Sequence, residues 1–270
     1  MEMELDLYRR DGIFRLNNVF TPWEIVAVQK EFAKVTTQHP DGVGIIREDG
    51  NSTVVRSIMG WQRGDGILSR FARDERIMRC VHAILGDQVV FHQTKCNPKA
   101  PDEMGEKWDP HRGDTFWCWK DGVPDPEGLM SVFIALTDQT EENGAVYAWP
   151  GSHEITLAQI RPHMLGLSED QGFGKDTAAN LSLQISPQRL EEIERTYRRV
   201  MLTGPAGTVW LLNAGLLHAS QANRSTETRT LVANVYRRID NRPQHPRTLQ
   251  YLCEVSQQPI VSSPAANLLR

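Results

Sequence analysis

Of the eight histidines in the chain, His111 and His218 occupy the contexts best suited to chemistry. His111 lies in "PHRGDTFW", just ahead of an aromatic cluster. His218 ends "GTVWLLNAGLLH", an apolar strand and turn that would carry its imidazole into a barrel interior. Neutral imidazoles are ligands for divalent transition metals. A carboxylate two residues after His111 would complete a three-ligand face, yet that position is Gly113 and the nearest carboxylate is Asp114. Side chains alternate along an extended strand, so His111 and Gly113 would share a face while Asp114 points away, reaching a metal only through a bulge. The other histidines read differently. His92 falls in an apolar strand, where a satisfied core role is expected, and His153 in "PGSH" follows a tight turn; His39, His82, His163 and His245 sit in polar or loop contexts.

Composition sets the frame for these residues. A chain of 270 residues suits one large domain with an ample core, and 40% apolar content, 24% charged content and a net charge of −4 describe an ordinary soluble protein with no bias toward nucleic acid. The longest apolar runs, such as "LMSVFIAL", fall short of the roughly 20 residues of a membrane span. The acidic opening "MEMELDLYRRDG" has no apolar signal core. Cys80, Cys96, Cys118 and Cys253 form no CxxC pair, which points to reduced thiols in a cytoplasmic protein.

The elements that must position the histidines begin with helices. "TPWEIVAVQKEFAKV" carries Thr21 as N-cap, Pro22 at the first helical position and Glu24 three residues after the cap, and Ile25, Val28, Phe32 and Val35 follow at helical spacing. A second helix is expected over "DERIMRCVHAILG", from Asp74 to a stop at Gly86. From residue 88 the texture becomes short β-branched or aromatic runs bounded by turn residues: "QVVFHQTKCN", "MSVFIALTD", "AVYAWPG", "GTVWLLNAG" and "TLVANVYRR". The pattern predicts a mainly β protein with flanking helices around a double-stranded β-helix, a cupin-like jelly roll whose interior can hold a metal. The single domain divides into an N-terminal helical part (1–87), the jelly-roll core (88–250) and a C-terminal tail (251–270). Within the core, the polar stretch 154–200, with a helix opening at Ser186-Pro187, reads as an insertion or lid near the barrel mouth.

The order "PHRGDTFW", then "DGVPDPEGLMSVFIALTDQTEENGAVYAWPGSH", then "GTVWLLNAGLLHASQANRSTETR" resembles the phytanoyl-CoA dioxygenase superfamily, and "LYRRDGIFRLNNVFTPWEI" resembles that family's usual opening. The resemblance implies an Fe(II)- and 2-oxoglutarate-dependent enzyme using O2, with His111 and His218 as iron ligands. It further implies that Arg229, 11 residues after His218, holds the distal carboxylate of 2-oxoglutarate with help from Ser220, and that Gln93 lies close to the same cosubstrate. Aligned with the family's ectoine hydroxylases, Gly113 replaces the carboxylate ligand, which opens one coordination position and removes one negative charge. Chloride restores both, as in the halogenase branch of the superfamily. The expectation is therefore a free-standing halogenase chlorinating an unactivated C–H bond, with Gly113 forming the halide pocket. The alternatives are a hydroxylase using Asp114 or water in place of the carboxylate, and a cupin-like binding protein without turnover.

For the substrate, period-two alternation from Arg229 puts Ala233 and Val235 beside the reaction space and Arg237 at its rim. Asp114 and Trp117 correspond to substrate-lining positions of the family, and Arg56 and Arg63 come from the segment that covers the mouth in its members. An apolar wall, an aromatic plate and arginines at the rim suit a small anionic molecule, such as an amino acid, a nucleotide or a similar natural-product precursor. No carrier protein, nucleic-acid polymer or membrane partner is expected.

Overall fold

The computed structural model describes residues 2–48, 51–102, 104–165, 183–245, 253–254 and 256–269. Its strands are, in chain order, β1 (Ile13–Leu16), β2 (Gly44–Glu48), β3 (Asn51–Met59), β4 (Val89–Lys99), β5 (Trp108–His111), β6 (Leu129–Ala135), β7 (Val146–Ala148), β8 (Met164–Leu165), β9 (Gln184–Ile185), β10 (Val200–Met201), β11 (Val209–Asn213), β12 (His218–Ser220) and β13 (Arg229–Arg238). The α-helices are α1 (Glu2–Asp11), α2 (Pro22–Gln38), α3 (Ile67–Ala72), α4 (Glu75–Leu85), α5 (Gly113–Trp119), α6 (Leu157–Ile160) and α7 (Pro187–Thr196).

Two antiparallel sheets make the jelly roll: a major one in the order β1-β11-β6-β13-β4-β3-β2 and a minor one in the order β10-β7-β12-β5. Strand alternation assigns each face of the major sheet. Val132, Ile134, Val232 and Tyr236 pack outward on Ile25, Val28 and Phe32 of α2 and on Ile77 and Val81 of α4. Their neighbours Ser131, Phe133, Leu231, Ala233 and Val235 point inward and line a cavity to which His111, Val146 and His218 of the minor sheet also contribute.

The capping box on α2 forms as the sequence predicts, with Thr21 Oγ1 accepting from the Glu24 amide and Glu24 accepting from the Thr21 amide at 2.7 Å. Asp74 caps α4, and Gly86 ends it at φ 87°. The segment 1–87 is less purely helical than expected. β1 pairs with β11, while β2 and β3 extend the opposite edge beyond β4, because short apolar runs complete the hydrogen bonds that sheet edges leave open. Described residues of the C-terminal tail pack on the core: the Ile260 amide donates to the Val89 carbonyl and Leu268 is buried.

Of the stretch 154–200, residues 166–182 lie outside the described residues. Its described parts pack Ile155, Ile160, Met164, Ile185 and Ile193 into a cluster with Phe116, Trp117 and Trp149. The expected helix is α7, capped by Ser186. No helix among the described residues is long and apolar enough to cross a membrane.

Candidate active site

Strand pairing brings the two histidines together. His111 on β5 and His218 on β12 are cross-strand partners, and their ring centroids lie 4.3 Å apart. Each ring is oriented by the same local device. His111 Nδ1 lies 2.6 Å from the Asp109 carbonyl and His218 Nδ1 lies 2.9 Å from the Leu216 carbonyl, so each Nδ1–H donates two residues back. Nε2 is left as the basic nitrogen of each ring. Burial, with His218 adding to it, holds His111 well below the usual imidazole range; burial pushes His218 down to about 4. Both rings are thus neutral near pH 7, the form that ligates. Two neutral imidazoles with fixed tautomers on one cavity wall suit a divalent transition metal.

Arg229 on β13 lines the same cavity and is 2% exposed. Its guanidinium donates to the Gly144 carbonyl, its Nε meets no partner among the described residues, and burial alone pushes it down to about 10. A desolvated cation with unused donor capacity is prepared for an anion. Ser220, Gln93, Trp117, Ala233, Val235 and Gly113 line the cavity as well, so these expected site residues are brought together.

Four expected substrate residues are not among the lining. Asp114 is buried with its carboxylate held by Arg112 at 2.6 Å and 3.1 Å, and Arg112 also donates to the Ile155 carbonyl. The expected extended run also ends at His111: Arg112 caps α5, and Asp114 falls in the helix's first turn, with its amide donating to the Ala214 carbonyl. Burial outweighs Arg112 and raises the Asp114 carboxyl above its usual range. Arg237 continues the inward face of β13 but lies under the C-terminal segment, donating to the carbonyls of Glu254 and Ser256. Arg56 pairs with Glu48 at 2.8 Å and stacks on Trp108, 4.0 Å from its ring centroid, behind the cavity wall. Arg63 is engaged with Glu254 and the Gly42 carbonyl toward the surface.

Several lining residues escaped the sequence reading. Lys95 and Asn97 follow Gln93 at period two on β4, which is the signal that could have found them. Trp108, Phe116 and Phe133 supply aromatic walls, and nothing in their local sequence marks them as site residues.

Gly113 has a packing reason. A Cβ built there would lie 2.6 Å from Trp117 Cζ3 and 3.1 Å from Cζ2, with Cη2 nearer still. The indole of Trp117 therefore occupies the space that a side chain at 113 would need.

Comparison with known proteins agrees with this architecture. The profile of the Phytanoyl-CoA dioxygenase (PhyH) family matches residues 8–231. L-proline trans-4-hydroxylase of Streptomyces griseoviridis is 27% identical over 264 residues, covering 97% of this chain and 95% of that protein. Ectoine dioxygenase of Bordetella bronchiseptica is 29% identical over 266 residues, covering 92% and 82%. The crystal structure of EctD from S. alaskensis with 2-oxoglutarate and 5-hydroxyectoine superposes with a TM-score of 0.81 at 23% identity, over 98% of this chain and 88% of that one. These relatives are a hydroxylase and dioxygenases, which overturns the halogenase expectation drawn from Gly113 and, with it, the chloride assigned to that position. The chain belongs to the phytanoyl-CoA dioxygenase family.

Proposed function

We propose that the protein is an Fe(II)- and 2-oxoglutarate-dependent hydroxylase of a free small molecule. The observation that carries this reading is the convergence, in one cavity, of two neutral imidazoles facing each other across β5 and β12 and a buried arginine with unused donors. The similarity to L-proline trans-4-hydroxylase and to ectoine dioxygenase supports a substrate of amino-acid size.

In this reading His111 and His218 hold the iron through Nε2, and the carbonyls of Asp109 and Leu216 keep that nitrogen unprotonated. The iron, when bound, supplies activation of O2 coupled to oxidative decarboxylation of 2-oxoglutarate. Arg229 binds the distal carboxylate by charge-assisted hydrogen bonds, Ser220 adds a hydroxyl, and Gln93 faces the cosubstrate. Trp117, Ala233 and Val235 shape the wall against which substrate lies. Asp114, committed to Arg112, takes no part as a ligand, so His111 and His218 are the side chains that would hold the iron. In this reading the chain is one such domain, and the described parts of the stretch 154–200 back the cavity wall by packing on Phe116 and Trp117.

The test is an anaerobic mixture of enzyme, Fe(II), 2-oxoglutarate and a panel of free amino acids and related small acids, exposed to O2. Succinate release coupled to a product one oxygen atom heavier than the substrate is the expected result. Unchanged metal retention and unchanged turnover in His111→Ala would overturn the site assignment.

A further inference from the structure

Beside Trp117, outside the cavity lining, three side chains with different metal-binding atoms converge. His92 on β4, Asp121 just after α5 and Cys253 of the C-terminal tail are each 0% exposed. A ring nitrogen of His92, a carboxylate oxygen of Asp121 and the Cys253 sulfur all lie within 4.8 Å of one another. None of the three residues lines the cavity.

Backbone geometry brings them together from distant parts of the chain. β13 meets β4 with Val235 opposite Gln93 and Tyr236 opposite Phe91, so His92 is an extra residue in β4. A bulge of this kind re-aims a side chain, and here the His92 ring stands edge-on to Trp117, 5.7 Å between centroids. The Glu254 amide donates to the His92 carbonyl at 2.7 Å, which sets Cys253 against the bulge, and the His245 amide donates to the Asp121 carbonyl at 2.9 Å. Arg237 holds the carbonyls of Glu254 and Ser256. Its guanidinium also interacts electrostatically with Cys253 and so favours the thiolate, the form that ligates.

Zinc binds imidazole nitrogen, carboxylate oxygen and thiolate sulfur at about 2.0–2.3 Å in a tetrahedron, which sets ligand atoms about 3.2–3.7 Å apart. His92 Nε2 and Asp121 Oδ2 are already 3.2 Å apart. A closure of at most about 1–1.5 Å at the sulfur therefore completes three corners. The carboxylate and thiolate together balance the two charges of the ion, which offsets their burial.

We propose that His92, Asp121 and Cys253 form a second metal site, suited to Zn2+, that fastens the C-terminal tail to the barrel beside the Trp117 wall. The thiolate separates it from the sulfur-free histidine pair of the cavity, since soft sulfur favours zinc over the hard divalent cations. Binding releases the thiol proton to solvent. The site stands independently of the chemistry assigned to the cavity.

The test is an anaerobic titration of the metal-free whole chain with Co2+, a spectroscopic substitute for Zn2+, in a non-thiol reductant. Cobalt bound through sulfur gives a thiolate charge-transfer band in the near ultraviolet, which imidazoles cannot give. Wild type and His111→Ala should both show the band, saturating at one sulfur-bound ion per chain. Cys253→Ser should lose it, and Cys118→Ser should keep it. Zinc analysis after dialysis should find two ions per wild-type chain and one in His111→Ala, the ion lost there being the one held by the cavity. Adding Cys253→Ser to His111→Ala should weaken the remaining zinc at least about hundredfold and abolish the rise in Tm that zinc gives. A wild-type chain without the thiolate band, or a band that survives Cys253→Ser, would overturn the inference and leave a hydrogen-bonded structural triad. If Cys253→Ser does not fold, the wild-type and His111→Ala titrations decide alone.

Discussion

Gly113→Ala tests why a glycine stands two residues after His111. Gly113 is not among the positive-φ glycines, and it opens α5, so backbone conformation gives no reason for it. Alanine would favour the helix by about 0.5–1 kcal/mol were there room for it. There is none. The added methyl would lie 2.6 Å from Trp117 Cζ3 and 3.1 Å from Cζ2, whereas carbons at rest lie about 3.5–4.0 Å apart. The indole would have to retreat by about 1 Å, from the contact distances just compared. Trp117 is buried, and its edge-on neighbour His92, 5.7 Å away between centroids, is fully buried and tied to Asp121 at 3.2 Å. Overpacking of this kind costs about 1–3 kcal/mol. A loss of about 2 kcal/mol lowers Tm by about 4–8 °C in a chain of this size. In a Trp117→Leu background the clash is absent and Gly113→Ala should be neutral or stabilising, giving a coupling energy of about 1–3 kcal/mol. Urea and thermal unfolding of the four metal-free proteins measure the cycle. A Gly113→Ala protein as stable as wild type, or additive effects of the two changes, would refute the packing explanation.

Three other outcomes are expected. His111→Ala and His218→Ala should each lose divalent metal on dialysis, read by elemental analysis, while remaining folded by circular dichroism. Asp114→Asn should destabilise the protein by about 3–5 kcal/mol by stranding buried Arg112, yet leave metal retention unchanged; lost metal would make Asp114 a ligand. Arg229→Gln should be at least as stable as wild type without ligand, since the buried charge is removed, and should gain no stability from 2-oxoglutarate; retained stabilisation by 2-oxoglutarate would exclude Arg229 as its anchor.

What the sequence made legible depended on local signals. Thr21, Asp74 and Gly86 mark helix ends by chemistry confined to a few residues, and all three act where expected. Period-two alternation along β13 puts Ala233 and Val235 on one face, and both line the cavity; it does not carry to Arg237, because the segment covering that end of the strand lies elsewhere in the chain. Asp114 escaped for a related reason: the turn from β5 into α5 falls between His111 and Gly113, and strand alternation cannot be carried across it. Gly113 was the hardest. Its absent side chain invites an explanation in coordination chemistry, while its nearest neighbour in space is an indole four residues on, where one helical turn brings it back. β1, β2 and β3 went unread because short strands at and beside the sheet edges are defined by the partners that accept them.

The pairing of the histidines is itself a register effect. β12 meets β5 with His218 opposite His111 and Ser220 opposite Trp108, so between these pairs β5 carries one more residue than β12. The extra residue falls at Asp109-Pro110, and proline has no amide hydrogen to give to a ladder, so a bulge is where it fits. The bulge resets the alternation between Trp108 and His111. Both therefore reach the cavity although an odd number of positions separates them, and the Asp109 carbonyl is left where His111 Nδ1 can donate to it. Without the bulge, one of the two side chains would turn outward: either the aromatic wall would lose Trp108 or the metal pair would lose His111. Pro110, which touches no ligand in this scheme, is thus a determinant of the site. A glycine there would restore an amide donor that the bulge does not need and would loosen the one turn on which the facing of the two imidazoles depends.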